Sequence, residues 1–436
     1  MDSIKVGLLG LGVVGGGTYK VLARNAQEIA RRAGRKIEVT RVAVRDVAKA
    51  RKLLGADILV GTDPHAVVRD PSIDIVVELI GGDTLALELV LEAIAQGKHV
   101  VTANKALLAV HGTEIFEAAH RKGVMVAFEA AVAGGIPIIK ALREGLTANR
   151  IQWIAGIING TTNFILSEMR DKGLPFDAVL KQAQALGYAE ADPTFDIEGV
   201  DAAHKATLMS AIAFGIRVQF DKAYVEGITH LESKDITYAE QIGYRIKLLG
   251  ITKRVSAGVE LRVHPCLVPT KRLIANVEGA MNAVMVQADA VGTTLYYGKG
   301  AGSEPTASSV IADLVDITRL HTADPLHRVP HLAFQPDAIR DIPVLPMADV
   351  VTSYYLRLRV ADQAGVLARL TGILAQAAIS IDAVLQRPAG EVQNQTDLII
   401  LTHACVESAM NLAIEQMQAL DTVLAPVVRI RKEELN

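Results

Sequence analysis

Between Gly187 and Lys205 the chain gathers five carboxylates, Glu190, Asp192, Asp196, Glu198 and Asp201, and closes the run with a lysine. Asp201 and Lys205 are four residues apart, which puts both on one face if the segment is helical. It reads as helical from Val200, because Ala203, Ala206, Met209 and Ala213 recur at helical spacing, whereas Gly187, Pro193 and Gly199 break up the residues before it. On an exposed helix this would be an ordinary surface pair worth a few tenths of a kcal/mol. The turns from Ala206 to Gly215 are apolar nearly all round, which buries the helix. Burial disfavours an ammonium and lowers its pKa, so Lys205 becomes a candidate acid or base near neutral pH.

The elements that would position this pair begin at the N-terminus. An apolar run, Ile4 to Leu9, enters Gly10-Leu-Gly12-Val13-Val14-Gly15, and a helical stretch follows to about Arg32. Strand, GxGxxG and helix in that order form the dinucleotide-binding arrangement: the glycines permit a tight turn and close approach to a pyrophosphate at the helix N-terminus. A second strand, Ile37 to Val44, ends in Arg45-Asp46. The acid suits the ribose 2'-hydroxyl of NAD and the arginine the 2'-phosphate of NADP, so either cofactor is open, with a lean to NADP because Arg45 follows the strand directly. Strands at Ile73–Ile80, His99–Thr102 and Val124–Phe128 continue the alternation of an open parallel sheet. Thr102-Ala-Asn104-Lys105 lies at its carboxyl edge, where ligands bind, so Lys105 is placed to face cofactor or substrate. The loop Glu129 to Pro137 is rich in small residues and reads, on its own, as a plain turn.

From about residue 140 the pattern changes to that of a substrate domain with a mixed sheet. A strand at Asn149–Ile158 leads into Asn159-Gly-Thr161-Thr-Asn163, which caps a helix or grips a small polar ligand; alternating segments follow at Val255–Val263 and Ala283–Ala290. Glycines around Gly300 and Gly302 open a helix through Leu320 that either is simply capped by Ser303 or returns to border the cofactor. The expected domains are 1–138 (completed by about 303–330) and 139–302. A linker over 325–349, with five prolines, and a tail over 350–436 follow. The tail reads βαββαβ, a ferredoxin-like order, with no nucleophile beside a base; it is expected to be a separate unit for binding or assembly whose removal leaves catalysis intact.

Composition narrows the partners. Net charge is -3 with no run of like charge, which argues against nucleic acid or a membrane surface. Two cysteines, Cys266 and Cys405, lie far apart and outside any CxxC pattern, as suits a reducing compartment and no zinc. With no signal-peptide pattern and no long apolar run, a cytoplasmic protein is expected.

Taken together, Gly10 to Gly15, Thr102 to Lys105, Asn159 to Phe164, Gly187 to Pro193 with Asp201 to Lys205, and Gly300 to Thr306 closely resemble homoserine dehydrogenase over roughly residues 4 to 330. The tail, through Asp362-Gln-Ala-Gly365 and Ile379-Ser-Ile381, resembles an ACT domain. The resemblance implies an α/β protein: a Rossmann-type dinucleotide-binding domain, an α+β substrate domain and a ferredoxin-like sensor. It implies reduction of L-aspartate 4-semialdehyde to L-homoserine with NADP or NAD. Lys205 would donate the proton, Asp201 orient it, and Lys105 act as a second active-site lysine. Gly187, Glu190, Asp201 and Thr161 would meet the substrate. Gly10, Gly12, Val13, Val14, Gly15, Arg45, Thr102, Lys105 and Gly302 would meet the cofactor. A structural sodium ion would be held by Glu129, Val132, Gly134 and Ile136, against the plain-turn reading. An amino-acid effector, threonine by expectation, would act at the tail of a homodimer or homotetramer. Asp192, Asp196 and Glu198 keep their reading as turn and surface residues. Two rivals are an acylating semialdehyde dehydrogenase, which needs a cysteine nucleophile such as Cys266, and a sensor without turnover.

Overall fold

The structure, a computed structural model, describes residues 3–388 and 394–436. Six strands form one parallel sheet: β1 (Ile4–Leu9), β2 (Ile37–Ala43), β3 (Leu59–Gly61), β4 (Ile75–Glu78), β5 (His99–Thr102) and β6 (Val126–Ala127). Their order, β3-β2-β1-β4-β5-β6, reverses direction between β1 and β4, and the crevice at that switch point opens at the carboxyl ends of the strands. The central strands are apolar on both faces, since helices cover each side. The helix Ser303–Leu320 returns to this domain and packs along Val13–Arg24, tied by an Arg24–Glu304 ion pair at 2.9 Å. One long first helix was expected, but it breaks at Asn25 into Val13–Arg24 and Ala26–Ala33.

A second sheet is built from β7 (Ile151–Ile157), β8 (Tyr224–Val225), β9 (Tyr244–Val255), β10 (Gly258–Pro269), β11 (Met281–Ala288) and β12 (Gly292–Lys299). The strand expected over 255–263 spans the turn of the long β9–β10 hairpin; alternation continues across Ser256-Ala257, so the pattern hides the turn. The buried helix Val200–Phe214 lies across β9 and β10.

The tail supplies β13 (Val351–Ala361), β14 (Ile381–Pro388), β15 (Gln395–Thr402), β16 (Cys405–Val406) and β17 (Val428–Lys432), with helices Val366–Gln376 and Glu407–Gln418. Its order β17-β13-β15-β14 is the ferredoxin-like arrangement. It keeps a core of its own but is joined edge to edge with the substrate domain. β17 pairs in parallel with β10, Cys266 opposite Arg431 and Leu267 opposite Lys432, so one sheet runs from β12 to β14. One face of the tail sheet buries Leu356, Leu358 and Ile400 under its own helices, while Tyr355, Ile399 and Ile430 join the substrate-domain core. The proline-rich stretch is not a free spacer either: Arg340 N donates to Gly215 O at 2.8 Å and Val259 N to Pro343 O at 2.9 Å.

Candidate active site

Asp201 is buried and receives an ammonium on each oxygen. Lys205 Nζ donates to Oδ2 at 2.7 Å and Lys105 Nζ lies 2.9 Å from Oδ1. Helix Val200–Phe214 supplies the first lysine, and the second opens helix Lys105–Lys122 at the carboxyl edge of the parallel sheet, where Asn104 caps the helix by accepting from Leu107 N. Lys205 Nζ also donates to Ile158 O at 2.7 Å. Burial opposes ionisation of Asp201, but the Lys205 and Lys105 charges overcome it and hold the carboxyl below the usual carboxylate range. Burial pushes the Lys205 ammonium down, and Asp201 only partly restores it. For Lys105 burial is outweighed by Asp201, and its pKa is raised. The two lysines therefore differ: one holds its proton loosely and the other firmly.

Asn159 makes this site larger than the sequence showed. Its amide nitrogen donates to Asp201 Oδ2 at 2.8 Å and to Asp196 Oδ1 at 2.7 Å, while its Oδ1 caps helix Gly160–Lys172 by accepting from Thr162 N. Asp196 is thus a site residue and not a surface one; burial and the Asp201 charge push its carboxyl up. Sequence reasoning missed it because only the fold brings Asn159, 37 residues upstream, beside it. Asp192 remains an exposed turn residue that accepts from Thr194 N, and Glu198 accepts from Thr229 Oγ1. Thr161 Oγ1 donates to Tyr188 O at 2.7 Å, so it fastens the loop that carries Gly187 and Glu190, both exposed. Glu190 adds to the negative field that raises Lys105.

The nucleotide cleft, about 740 Å³, is lined by Gly10, Gly12, Arg45, Asp46, Lys49 and Lys52 among others. Gly10 turns at φ +92°, and a Cβ there would lie 2.8 Å from Leu79 O. A Cβ on Gly12 would meet nothing, which leaves the backbone open to a ligand at a helix N-terminus without a side-chain cap. These features fit a dinucleotide. Val13 is exposed at the first turn, Val14 is half-buried, and Gly15 packs on Gly10 O. Ser303 Oγ, next to Gly302, donates to Val13 O at 2.8 Å, which closes the loop over this turn. Asp46 caps the following short helix through Lys49 N, whereas Arg45 is exposed and has no ion-pair partner among the described residues. Thr102 does not line the cleft with its side chain. It is fully buried with its hydroxyl on Glu78 at 2.6 Å, a supporting role beneath Asn104.

The loop Glu129 to Ile136 is buried except at Gly135. Both Glu129 oxygens accept backbone N–H groups, from Ile139 and Lys140, and Glu129 N donates to Asp313. The Gly134 carbonyl accepts from Ser309 Oγ at 2.6 Å and the Ile136 carbonyl from Ile138 N at 2.8 Å; Val132 is fully buried. Burial, with Asp313 adding to it, raises the Glu129 carboxyl to about 7. Elsewhere, Cys266 lies 3.2 Å from His264 Nδ1, but burial pushes the thiol well above its ordinary pKa, so it is no nucleophile. His264, Cys266 and Glu433 cluster within 4.8 Å, yet the Arg262 guanidinium already occupies His264 Nε2 and Glu433.

Comparison with known proteins agrees with this geometry. Residues 10–129 match the homoserine dehydrogenase NAD-binding domain, 137–315 the homoserine dehydrogenase catalytic family and 354–422 the ACT domain. The chain is 62% identical to a homoserine dehydrogenase of Pseudomonas aeruginosa over 436 residues, covering all of both chains. The chain belongs to the homoserine dehydrogenase family. It is also 56% identical to the homoserine dehydrogenase of Neisseria gonorrhoeae over the full length of both. The crystal structure of a homoserine dehydrogenase from Thiobacillus denitrificans superposes with a TM-score of 0.96 at 67% identity, covering 100% of this chain and 99% of that one. As a homoserine dehydrogenase it is an NAD(P)-dependent oxidoreductase with an ACT domain. Among the described residues no helix is long and apolar enough to cross a membrane.

Proposed function

We propose that this homoserine dehydrogenase interconverts L-aspartate 4-semialdehyde and L-homoserine with Lys205 as the proton donor to the carbonyl oxygen. The observation that carries this is the commitment of Lys205: of its three ammonium N–H donors, two point at Ile158 O and Asp201 Oδ2, which leaves one for a substrate oxygen. A nicotinamide cofactor, held along Gly10, Gly12 and Arg45, would supply the hydride to the carbonyl carbon. Lys205 then gives its proton to the oxygen and becomes a neutral amine, and burial lowers the cost of that state. Asp201 holds Lys205 and Lys105 in fixed directions, so neither lysine must reorganise when charge develops. The substrate is a zwitterion; Glu190 and Asp196 offer carboxylates for its ammonium, and Thr161 holds the Gly187–Glu190 loop in place.

Arg45, Lys49 and Lys52 on one wall of the nucleotide cleft favour NADP over NAD. Glu129 and the carbonyls of Val132, Gly134 and Ile136 would offer oxygens alone, one of them from a carboxylate, to a hard monovalent cation, sodium by this reading. The ACT tail is the module we assign to threonine. The working form is a cytoplasmic homodimer or homotetramer. The experiment that tests the reading is a spectrophotometric assay of L-homoserine oxidation with NADP⁺ and with NAD⁺, each with and without L-threonine. No turnover with either cofactor would refute it.

A further inference from the structure

We infer that Glu226 and Gly227 are positioning residues for the Asp196–Asp201 carboxylates, held from the tail by Arg431. The inference rests on the assignment of those carboxylates to the substrate and to Lys205.

Arg431, on β17, has a side chain with no solvent exposure. It donates from Nη1 to Glu226 Oε2 at 2.8 Å and from Nη2 to Tyr224 Oη at 3.1 Å, and it pairs with Glu407 of the tail helix through Nε at 3.0 Å. Tyr224 Oη closes the triangle by donating to Glu226 Oε2 at 2.7 Å. The guanidinium also sits 5.0 Å from the Tyr224 ring centroid. A buried cation satisfied by acids on both sides of a junction fixes both sides, because losing either acid leaves charge uncompensated.

The next contact lies one residue on. Glu226 N is tied to β10 by donating to Val263 O at 2.8 Å. Gly227 then runs so close to the catalytic loop that a Cβ would lie 2.3 Å from Ile197 O and 2.6 Å from Glu198 Cα. Ile228 N donates to that same Ile197 carbonyl at 2.9 Å, and Thr229 Oγ1 holds Glu198 at 3.2 Å. Ile197 to Gly199 are among the few residues between Asp196 and Asp201, the two carboxylates that share the Asn159 amide. The Tyr224–Thr229 segment is therefore a strut: one end is clamped by a tail arginine and the other presses on the backbone between two site carboxylates. Neither Glu226 nor Gly227 touches the lysines, so both act through Ile197–Gly199.

The test is steady-state homoserine oxidation by the full-length enzyme carrying Gly227→Ala, Glu226→Gln or, as control, Gly372→Ala, whose added methyl would meet nothing. A displacement of about 1 Å at reacting groups costs up to about 100-fold. Gly227→Ala is expected to lower kcat/KM for homoserine about 10- to 100-fold while the fluorescence-measured Kd for NADPH stays within about twofold. Glu226→Gln, which keeps a hydrogen bond but removes the charge facing Arg431, is expected to lower kcat/KM about threefold to tenfold, with Gly372→Ala like wild type. Wild-type kcat and KM in both variants, or a loss of NADPH affinity and thermal midpoint that matches the loss of activity, would overturn the inference. Should Gly227→Ala fail to fold, Glu226→Gln decides alone. Activity lost in the strut variants but retained in Asp201→Asn would instead refute the carboxylate assignment beneath it.

Discussion

Arg357 of the tail and Asp235 of the substrate domain form a buried two-point pair, Nε to Oδ1 at 2.5 Å and Nη2 to Oδ2 at 3.0 Å. Asp235 has no solvent exposure and also accepts from Tyr355 Oη at 3.1 Å. Such a pair belongs to the interior of one body. The tail is therefore packed into the folded unit that carries Asp201 and Lys205.

Removing residues 350–436 is accordingly expected to do more than abolish a response to an effector. It would strip β17 from β10, expose the face that buries Tyr355, Ile399 and Ile430, and leave Asp235 and Glu226 without their arginines. Losing one partner of a buried pair costs about 3 to 5 kcal/mol. The truncated chain should be insoluble or inactive. A soluble truncation with wild-type kcat by the homoserine assay would show that the junction is not needed.

Two histidines give the enzyme an acid-sensitive edge. His99 Nδ1 accepts from Met125 N at 2.9 Å and His331 Nε2 from Val126 N at 3.1 Å, so both hold β6 in place as neutral rings. Burial, with nearby Arg328 for His99 and Arg143 for His331, lowers each to about 3. The unfolded rings take up protons near pH 6.5 and the folded ones do not, so their stabilisation is whole above that pH. It is lost as pH falls toward 3, at about 1.4 kcal/mol per pH unit for each. Urea midpoints at pH 7 and pH 5 should fall more steeply in wild type than in His331→Gln. Parallel decreases would contradict the burial of a neutral ring. The buried acids Glu129 and Asp313, raised to about 7 and about 6, work in the opposite direction, which is why the difference between the two proteins is the informative quantity.

The cation reading of the Glu129 loop makes its own prediction. At pH 8 the thermal midpoint should be higher in sodium chloride than in choline chloride of equal ionic strength, because a ligand bound only by the folded state adds stability in proportion to the logarithm of its concentration. Glu129→Gln should abolish the difference. Equal midpoints in both salts would remove sodium from the account.

Much of this was legible in the chain and some was not, for identifiable reasons. The Asp201–Lys205 pair announced itself because helical spacing and an apolar surround are local properties, and GxGxxG carried the cofactor because strand, turn and helix are contiguous. Asp196 was hidden because its partner, Asn159, is distant in sequence and read equally as a helix cap, which it is, or as a grip on a small polar ligand. At Thr102, position at a strand end does not say whether a side chain faces the cleft or the acid beneath it, and the hydroxyl meets Glu78. The strand pairing that joins the tail consists of two residue pairs between β10 and β17, too short a register to leave a pattern.

The central claim is that Lys205 moves the proton. Its most direct test is kcat for homoserine oxidation by Lys205→Met, which keeps the stem of the side chain and removes the ammonium, with NADPH affinity measured in the same preparation. Turnover should fall at least about 100-fold with Kd for NADPH little changed. Turnover within a few fold of wild type would contradict the claim.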